Sequence, residues 1–418
     1  MSKGSESVMQ RYNLSAGQSP LSHGALEALK RQIDTPIYYP EYWQAELKAA
    51  SLLQELLGTR SDVYLITGNA TLGIEAAFSN LFSLGETVIT LNGGVFGQVL
   101  SEIARCCGMN PIEWQIPYGR PVDLGRFEIF LRTHPEARGV ALTHVETTTG
   151  VEFPITEIAA LVKDHNLYLI VDAVSSLGAQ PVEMDRLGID VCISSGQKAL
   201  NASQGVVIVA LSERAWRAIE TSPDPYPGVC LNLSVWKEYR QNNVVEMLKA
   251  WQSHAPIKSV RSKVIHGPSP AATLVHALLG ALEDIFREGT EKVYQRHLWA
   301  AKAVRTGVRA LGLAVLADES VAARTVTTVL LPEAVDELEL RRSMLEKYNI
   351  ALGGGPSEIG INAIRIGSMG LGAHPHMQLP ALDALGRCLL SLGHPCIDNA
   401  GALAAEYIFS EAGASIWE

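Results

Sequence analysis

The sequence lacks the features that mark membrane, secreted and nucleic-acid-binding proteins. Its longest apolar runs, such as residues 205–211, are too short to span a bilayer. The first ten residues are polar and contain no apolar stretch of the kind a secretion signal needs, so we expect a cytoplasmic protein. The formal net charge is −10 and there is no basic block, which argues against nucleic acid or an anionic membrane as a partner.

Metal and disulfide chemistry is also poorly supported. The six cysteines form no CxxC pair and show no metal-ligand spacing, so we expect free thiols and no metal site. Internal repeats and low-complexity segments are absent too. What is present is a chain of 418 residues, 47% hydrophobic and 19% charged, which is typical of a soluble enzyme and long enough to predict two packed domains.

The first half of the chain alternates short β-rich runs with helical stretches. Most of the runs are apolar on both faces, as strands buried between helix layers must be. This alternation predicts an α/β fold with a mostly parallel seven-stranded sheet between helices, with ligands bound at the carboxyl ends of the strands. The seven predicted strands are Val63–Thr67, Thr87–Leu91, Pro111–Ile116, Val140–Val145, Tyr168–Val174, Val191–Ser194 and Val206–Ala210.

The second half reads as a smaller α+β domain. A long helical stretch from Ala271 to Ala310, broken near Gly289, precedes short strands and helices. We therefore predict an N-terminal arm at residues 1–20, a large domain at 21–288 and a small C-terminal domain at 289–418. No secondary structure is assigned to residues 394–418.

Two charged residues follow neighbouring strands of the predicted sheet. Asp172 interrupts the apolar run Leu167–Val174 near its carboxyl end, and Lys198 comes just after the strand that begins at Val191. A carboxylate at the end of an apolar strand is costly unless a partner satisfies it. Taken alone, the two residues could form a structural ion pair.

Three further features change that interpretation. The run at residues 67–71, TGNAT, ends a strand and opens a helix, where backbone N–H groups can cradle a phosphate, although Thr71 could simply be a helix cap. Phe96 lies among glycines at the next strand end, where it could equally be a core residue. Arg365 is a guanidinium in an apolar strand, suited to a carboxylate or to an ion pair.

Pyridoxal 5′-phosphate (PLP) chemistry uses this set of groups. It needs a lysine amine that carries the cofactor, an aspartate that keeps the pyridine nitrogen protonated, and sites for the phosphate and the substrate carboxylate. The released lysine amine then moves the Cα proton as a general base and acid.

The motifs resemble those of class V aminotransferases, which are PLP-dependent transferases of fold type I. The similarity covers residues 14–392, and the alanine–glyoxylate and serine–glyoxylate groups match best. The motifs that carry the resemblance are the runs VDAVSSLG at 171–178, SGQKALN at 195–201, HVETTTGV at 144–151, GGG at 353–355 and RIGSMG at 365–370.

The resemblance implies a role for each matching cofactor-side residue. Lys198 would form the Schiff base, and Asp172 would pair with the pyridinium nitrogen. Phe96 would cover one face of the cofactor ring, Val174 would pack against the other, and Thr147 would lie near the phenolic oxygen.

The phosphate, the substrate and the partner subunit are assigned in the same way. Ala70, Thr71 and Gln197 would hold the phosphate, and Ser269 would contact it from the second subunit of a homodimer with shared active sites. Arg365 would bind the substrate carboxylate.

Substrate specificity stays open, because the chain departs from the family pattern where the substrate binds. The segments that contain Gly17 and Tyr39 line that side, and neither keeps the family's usual residues. Similarity also extends to the pyridoxamine–pyruvate aminotransferases, but these carry a glutamate where this chain has Asn69, which suits a retained phosphate. We therefore predict a transaminase for a small amino acid and a small 2-oxo acid, with a PLP-dependent lyase or decarboxylase, or pyridoxamine as the donor, as alternatives.

Overall fold

The computed structural model describes residues 12–31, 39–226, 228–254, 270–356 and 359–417. Fourteen strands and fifteen α-helices are formed within these ranges. The strands are β1 Tyr12–Leu14, β2 Val63–Gly68, β3 Thr87–Asn92, β4 Asn110–Gln115, β5 Ala137–Thr143, β6 Val145–Glu146, β7 Val151–Glu152, β8 Tyr168–Asp172, β9 Val191–Ser195, β10 Gly205–Leu211, β11 Ala314–Val315, β12 Val326–Leu330, β13 Ile350–Gly354 and β14 Ala363–Gly367.

The helices alternate with the strands through the first half of the chain and dominate the second. They are α1 His23–Lys30, α2 Pro40–Leu57, α3 Ala70–Leu81, α4 Val95–Cys106, α5 Leu124–Thr133, α6 Ile155–Asp164, α7 Met184–Leu187, α8 Glu213–Glu220, α9 Leu233–Tyr239, α10 Glu246–Gln252, α11 Ala272–Glu288, α12 Thr290–Ala310, α13 Glu337–Tyr348, α14 Pro375–Ser391 and α15 Ala400–Glu411. Among the described residues, no helix combines the length and apolarity that crossing a membrane requires.

The seven predicted strands form one sheet, in the order β2-β10-β9-β8-β5-β3-β4. Pairing is parallel from β4 through β9, and only β10 runs antiparallel to both of its neighbours. The central strands are buried on both faces, which explains their continuous apolar sequences. The mostly parallel seven-stranded sheet is therefore confirmed, and the carboxyl ends of β3, β5, β8 and β9 meet at one edge.

A second, smaller sheet of five strands has the order β1-β13-β14-β12-β11. Its outer strand β1 comes from the N-terminal segment and pairs in parallel with β13, so Leu14 belongs to the small hydrophobic core. The predicted break in the long helix is confirmed, because α11 ends and α12 begins at Gly289, which has a positive φ of 96°. The proposed domain boundaries at residues 20 and 288 stay a prediction.

The last part of the chain, which received no assignment, contains α15. This helix packs against α12 and α14 and buries Ala405, Ile408 and Phe409. The sequence does not predict which face of this helix is buried, because its apolar residues do not form a clear helical stripe. The packing against α12 and α14 decides it.

Candidate active site

The two predicted catalytic residues lie at the same edge of the large sheet. Strand β8 ends at Asp172, whose register partner on parallel strand β9 is Ile193, and Lys198 follows β9 after a short turn. Both side chains border a cavity of about 340 Å³. The residues that line it are Gly17, Gln18, Asn69, Ala70, Thr71, Ile74, Phe96, Val99, Val145, Asp172, Val174, Ser175, Gln197, Lys198 and Gln204.

Lys198 is buried, with 7% of its surface exposed, and its Nζ donates a hydrogen bond to the Ala16 carbonyl. Burial and, to a smaller extent, the positive charge of Arg365 lower the pKa of Lys198 to about 8, while Asp172 and Glu146 act in the opposite direction. The neutral form of Lys198 is therefore easier to reach near physiological pH than that of an ordinary lysine. A neutral amine is what nucleophilic and general-base chemistry requires of a lysine.

Asp172 is buried beside it. One carboxylate oxygen accepts a hydrogen bond from the Val174 backbone N–H at 2.8 Å. Burial raises the pKa of Asp172 to about 6, and this effect exceeds the lowering by the Val174 N–H and by Lys198. A buried carboxylate of this kind binds a cationic N–H donor strongly, because it has little competing solvation.

The opposite end of the cavity is formed by the first turn of α3. Asn69 caps this helix, accepting a hydrogen bond from the Leu72 backbone N–H, and Ala70 and Thr71 follow at the first helical positions. The backbone N–H groups of a first helical turn have no intrahelical acceptor and carry the positive end of the helix dipole, which favours an anion. Gln197 borders the same cavity.

Phe96 lies in the first turn of α4 and is 38% exposed toward the cavity. The helix is held there by Glu146, which is fully buried and accepts hydrogen bonds from the Gly97 and Thr148 backbone N–H groups at 3.0 Å each. A Cβ on Gly94 would lie 2.5 Å from the Glu146 side chain, so only glycine permits this approach. Glu146 thus fixes the position of Phe96.

Sequence reasoning did not identify that role for Glu146. The available signal was an acidic residue directly after a buried strand, where an unpartnered carboxylate would be costly. Burial raises the pKa of Glu146, and the hydrogen bonds from Thr148, Gly97 and Phe96 counteract that rise.

Three predicted residues that the structure describes, Arg365, Thr147 and Tyr39, do not line this cavity. Arg365, on strand β14 of the small sheet, borders a different cavity, although its charge acts on Lys198. Thr147 is buried with no hydrogen-bond partner for its hydroxyl among the described residues. Tyr39 is 46% exposed and contacts Trp251 edge-on at 5.8 Å between ring centroids. Ser269 falls outside the described residues.

Comparison with known proteins agrees with this geometry. The aminotransferase class-V family model matches residues 41–250. The pyridoxamine–pyruvate transaminase of Mesorhizobium japonicum is 31% identical over 88% of this chain and 89% of that protein. The chain belongs to the class-V aminotransferase family.

Further similarities are consistent with an aminotransferase. The serine–glyoxylate aminotransferase of Methylorubrum extorquens is 28% identical over 82% of this chain and 80% of its own length. The crystal structure of pyridoxamine–pyruvate aminotransferase from Mesorhizobium loti superposes with a TM-score of 0.85 at 30% identity, covering 96% of this chain and 97% of that one. The fold is that of fold type I PLP aminotransferases, and the chain is a transaminase.

The cavity is also bordered by the N-terminal segment, whose contacts the sequence did not reveal. This segment runs from strand β1 of the small sheet to helix α1, and its Ala16 carbonyl accepts the hydrogen bond from Lys198. Its Ser19 N–H donates to the Gln197 carbonyl at 2.8 Å, and the amide of Gln18 donates to that of Gln204 at 2.6 Å. Gly17 and Gln18 of this segment line the cavity, although the segment departs from the family's usual motif.

Proposed function

We propose that this transaminase uses PLP bound by Lys198 to move an amino group from a small amino acid, such as alanine or serine, to glyoxylate or pyruvate. The observation that carries the proposal is that a buried lysine, Lys198, and a buried aspartate, Asp172, border one cavity at the edge of the sheet. The N-terminus of α3, which is suited to a phosphate, borders the same cavity. Relatives of the chain support the substrate class, since they include serine–glyoxylate and alanine–glyoxylate aminotransferases.

The residues present fit the cofactor. PLP, when bound, supplies an electron sink for the carbanion formed at the substrate Cα. Asp172 would hold a proton on the ring nitrogen, which its buried carboxylate suits. The Lys198 amine, with its pKa of about 8, would accept the proton from the substrate Cα. It would then donate a proton to the cofactor side of the substrate–cofactor pair.

The remaining contacts would fix the orientation of the ring. The Ala70 and Thr71 backbone and the Gln197 side chain would bind the phosphate beyond the Asn69 cap. Phe96 and Val174 would enclose the ring from its two faces. The hydroxyl of Thr147 is buried and has no hydrogen-bond partner among the described residues. The phenolic oxygen of PLP would provide one.

On the substrate side, Arg365 would bind the α-carboxylate through a bidentate pair. Gly17 would border the bound amino acid, and Tyr39 would lie near the entrance, where its hydroxyl offers a donor rather than a positive charge. A small neutral donor follows from this set. Kinetics that favoured aspartate or glutamate over alanine and serine by roughly tenfold, or about 1.4 kcal/mol, would refute it.

We further propose a cytoplasmic homodimer in which Ser269 of each chain reaches the phosphate bound by the other. Chains carrying Ser269→Ala can be mixed with chains carrying Lys198→Ala. Each homodimer should be impaired, and the mixed dimer should regain one site in which both residues are intact. A fully active monomer in analytical sedimentation would contradict shared sites.

The deciding experiment is a half-reaction with the PLP-loaded enzyme. Amino acids are added one at a time, and the conversion of bound PLP into pyridoxamine phosphate is followed by absorbance. Alanine and serine should convert it, and glyoxylate or pyruvate should reverse the change. A lyase or decarboxylase would instead release product without an added acceptor, and conversion by pyridoxamine, which has no carboxylate, would leave Arg365 without a role.

A further inference from the structure

A second polar cavity, of about 500 Å³, lies beside Arg365 in the small domain. It is formed by described residues at the end of β13 and before and within β14, and by the beginning of α13. Because Arg365 borders it, this cavity adjoins the proposed carboxylate site. Its described lining residues are Glu337, Arg341, Gly354, Gly355, Gly360, Ile361, Asn362, Ala363 and Arg365.

The part of the cavity wall that belongs to α13 carries a second arginine, Arg341, which already has an ion-pair partner. Arg341 donates through its Nε and Nη2 to the two carboxylate oxygens of Glu337, four residues earlier on α13, the second bond measuring 3.2 Å. Both side chains are partly buried, at 32% and 23% exposure. A two-point contact of this kind occupies the fork that an arginine would otherwise offer to a carboxylate ligand.

Gly354 connects this ion pair to the substrate-binding arginine. The Nε of Arg365 donates to the Gly354 carbonyl at 2.5 Å. A Cβ built on Gly354 would lie 2.9 Å from the Glu337 carboxylate and 3.3 Å from Nη2 of Arg341. Both guanidinium groups therefore lie next to the same residue, Gly354, and both arginines border the same cavity.

We propose that Glu337 is a specificity-determining residue that discriminates against dicarboxylic substrates. It occupies the fork of Arg341 and places a negative charge where a distal carboxylate would bind. A dicarboxylate would have to displace Glu337 or face like-charge repulsion, whereas alanine, serine, glyoxylate and pyruvate would not reach it. The inference rests on the proposed function, in which Arg365 holds the α-carboxylate.

The test compares aspartate with alanine as donors for the PLP-loaded enzyme. Glu337→Gln keeps the shape but removes the charge, so the ratio of kcat/KM for aspartate over alanine should rise about tenfold. Arg341→Gln leaves Glu337 unpaired, so the same ratio should fall. The double variant Glu337→Gln/Arg341→Gln should show no rise in the ratio of kcat/KM for aspartate over alanine. Glu339→Gln is the matched control, because it removes an exposed charge from the same helix.

Binding of unreactive analogues gives a second readout, in which succinate is compared with propionate by calorimetry on the same proteins. Succinate should gain affinity relative to propionate in Glu337→Gln alone. An unchanged ratio, an equal loss for both donors, or the same gain in Glu339→Gln would overturn the role of Glu337. Absence of alanine transamination by the unmodified enzyme would instead contradict the proposed function, while the succinate comparison would still test Glu337.

Discussion

The inner and outer walls of the site differ in what holds them. On the inner wall, Asp172 and Lys198 follow strands whose residues, such as Val171 and Ile193, are fully buried in the large core. On the outer wall, Arg365 comes from the small sheet, and Gly17 from the segment that joins the two sheets. A close-packed core fixes the groups that we propose do the chemistry, whereas the N-terminal segment and the small sheet supply the groups that we propose select the substrate.

Electrostatics connects the two walls. Arg365 lowers the pKa of Lys198 although the two residues border different cavities. A substitution on the outer wall should therefore change the protonation of the inner lysine, while a substitution on the inner wall should affect every substrate equally. The following predictions test that asymmetry.

The largest effect is expected for Lys198→Ala. Without the amine, PLP should no longer be trapped covalently by borohydride, and turnover should be lost for every amino acid. The fold should remain, because removing the lysine relieves the burial of a charged group. Peptide mapping of the reduced enzyme checks the assignment, and label found on another lysine would contradict it.

Asp172→Asn should retain PLP but lower turnover by several orders of magnitude for all donors alike. A neutral amide cannot hold the ring nitrogen protonated. The measurement is kcat with alanine and with serine, together with the PLP dissociation constant. Near-normal turnover would remove Asp172 from the mechanism.

At pH 8, Asp172→Asn should have a larger free energy of unfolding than the unmodified chain when both lack PLP. The folded pKa of Asp172 is about 6, against 3.8 for the unperturbed group. Between these values the folded protein binds more protons than the unfolded one, so stability falls as pH rises, by up to about 3 kcal/mol. Denaturant unfolding at pH 4 and pH 8 should show this loss in the unmodified chain and a smaller one in Asp172→Asn.

Arg365→Lys should raise KM for alanine tenfold or more, about 1.4 kcal/mol, because an ammonium cannot reproduce the two-point fork. The matched control is Arg342→Lys, an exposed residue on α13. An unchanged KM for the amino acid would show that the carboxylate is bound elsewhere.

The smallest effect concerns the pH dependence of PLP capture by the protein without cofactor. The rate should rise with pH around 8, since the neutral Lys198 amine is the nucleophile. Arg365→Gln should move this midpoint upward, yet keep it below the ordinary lysine value of 10.5, because burial is the larger cause. If Arg365→Gln and Arg342→Gln had the same midpoint, the charge of Arg365 would not influence the pKa of Lys198.

Some of the contacts that support the site could not be predicted. Glu146 and Phe96 are 50 residues apart, and only the meeting of β6 with α4 shows that one positions the other. The Ala16 carbonyl has no sequence signature, because a backbone acceptor is the same in every residue. The pairing of β1 with β13 joins segments more than 300 residues apart, and three residues are too few for a periodic signal.

The sequence by itself determined the alternation of seven buried strands with helices, and with it the parallel sheet, because strands buried on both faces must be continuously apolar. It also determined which charged residues interrupt that apolar pattern at strand ends. The tertiary structure alone decided which of them share a cavity, how burial shifts the pKa values of Lys198 and Asp172, and how Gly354 joins Arg365 to the Glu337–Arg341 pair. These properties depend on distance and solvent exclusion between segments far apart in the chain, which no local pattern encodes.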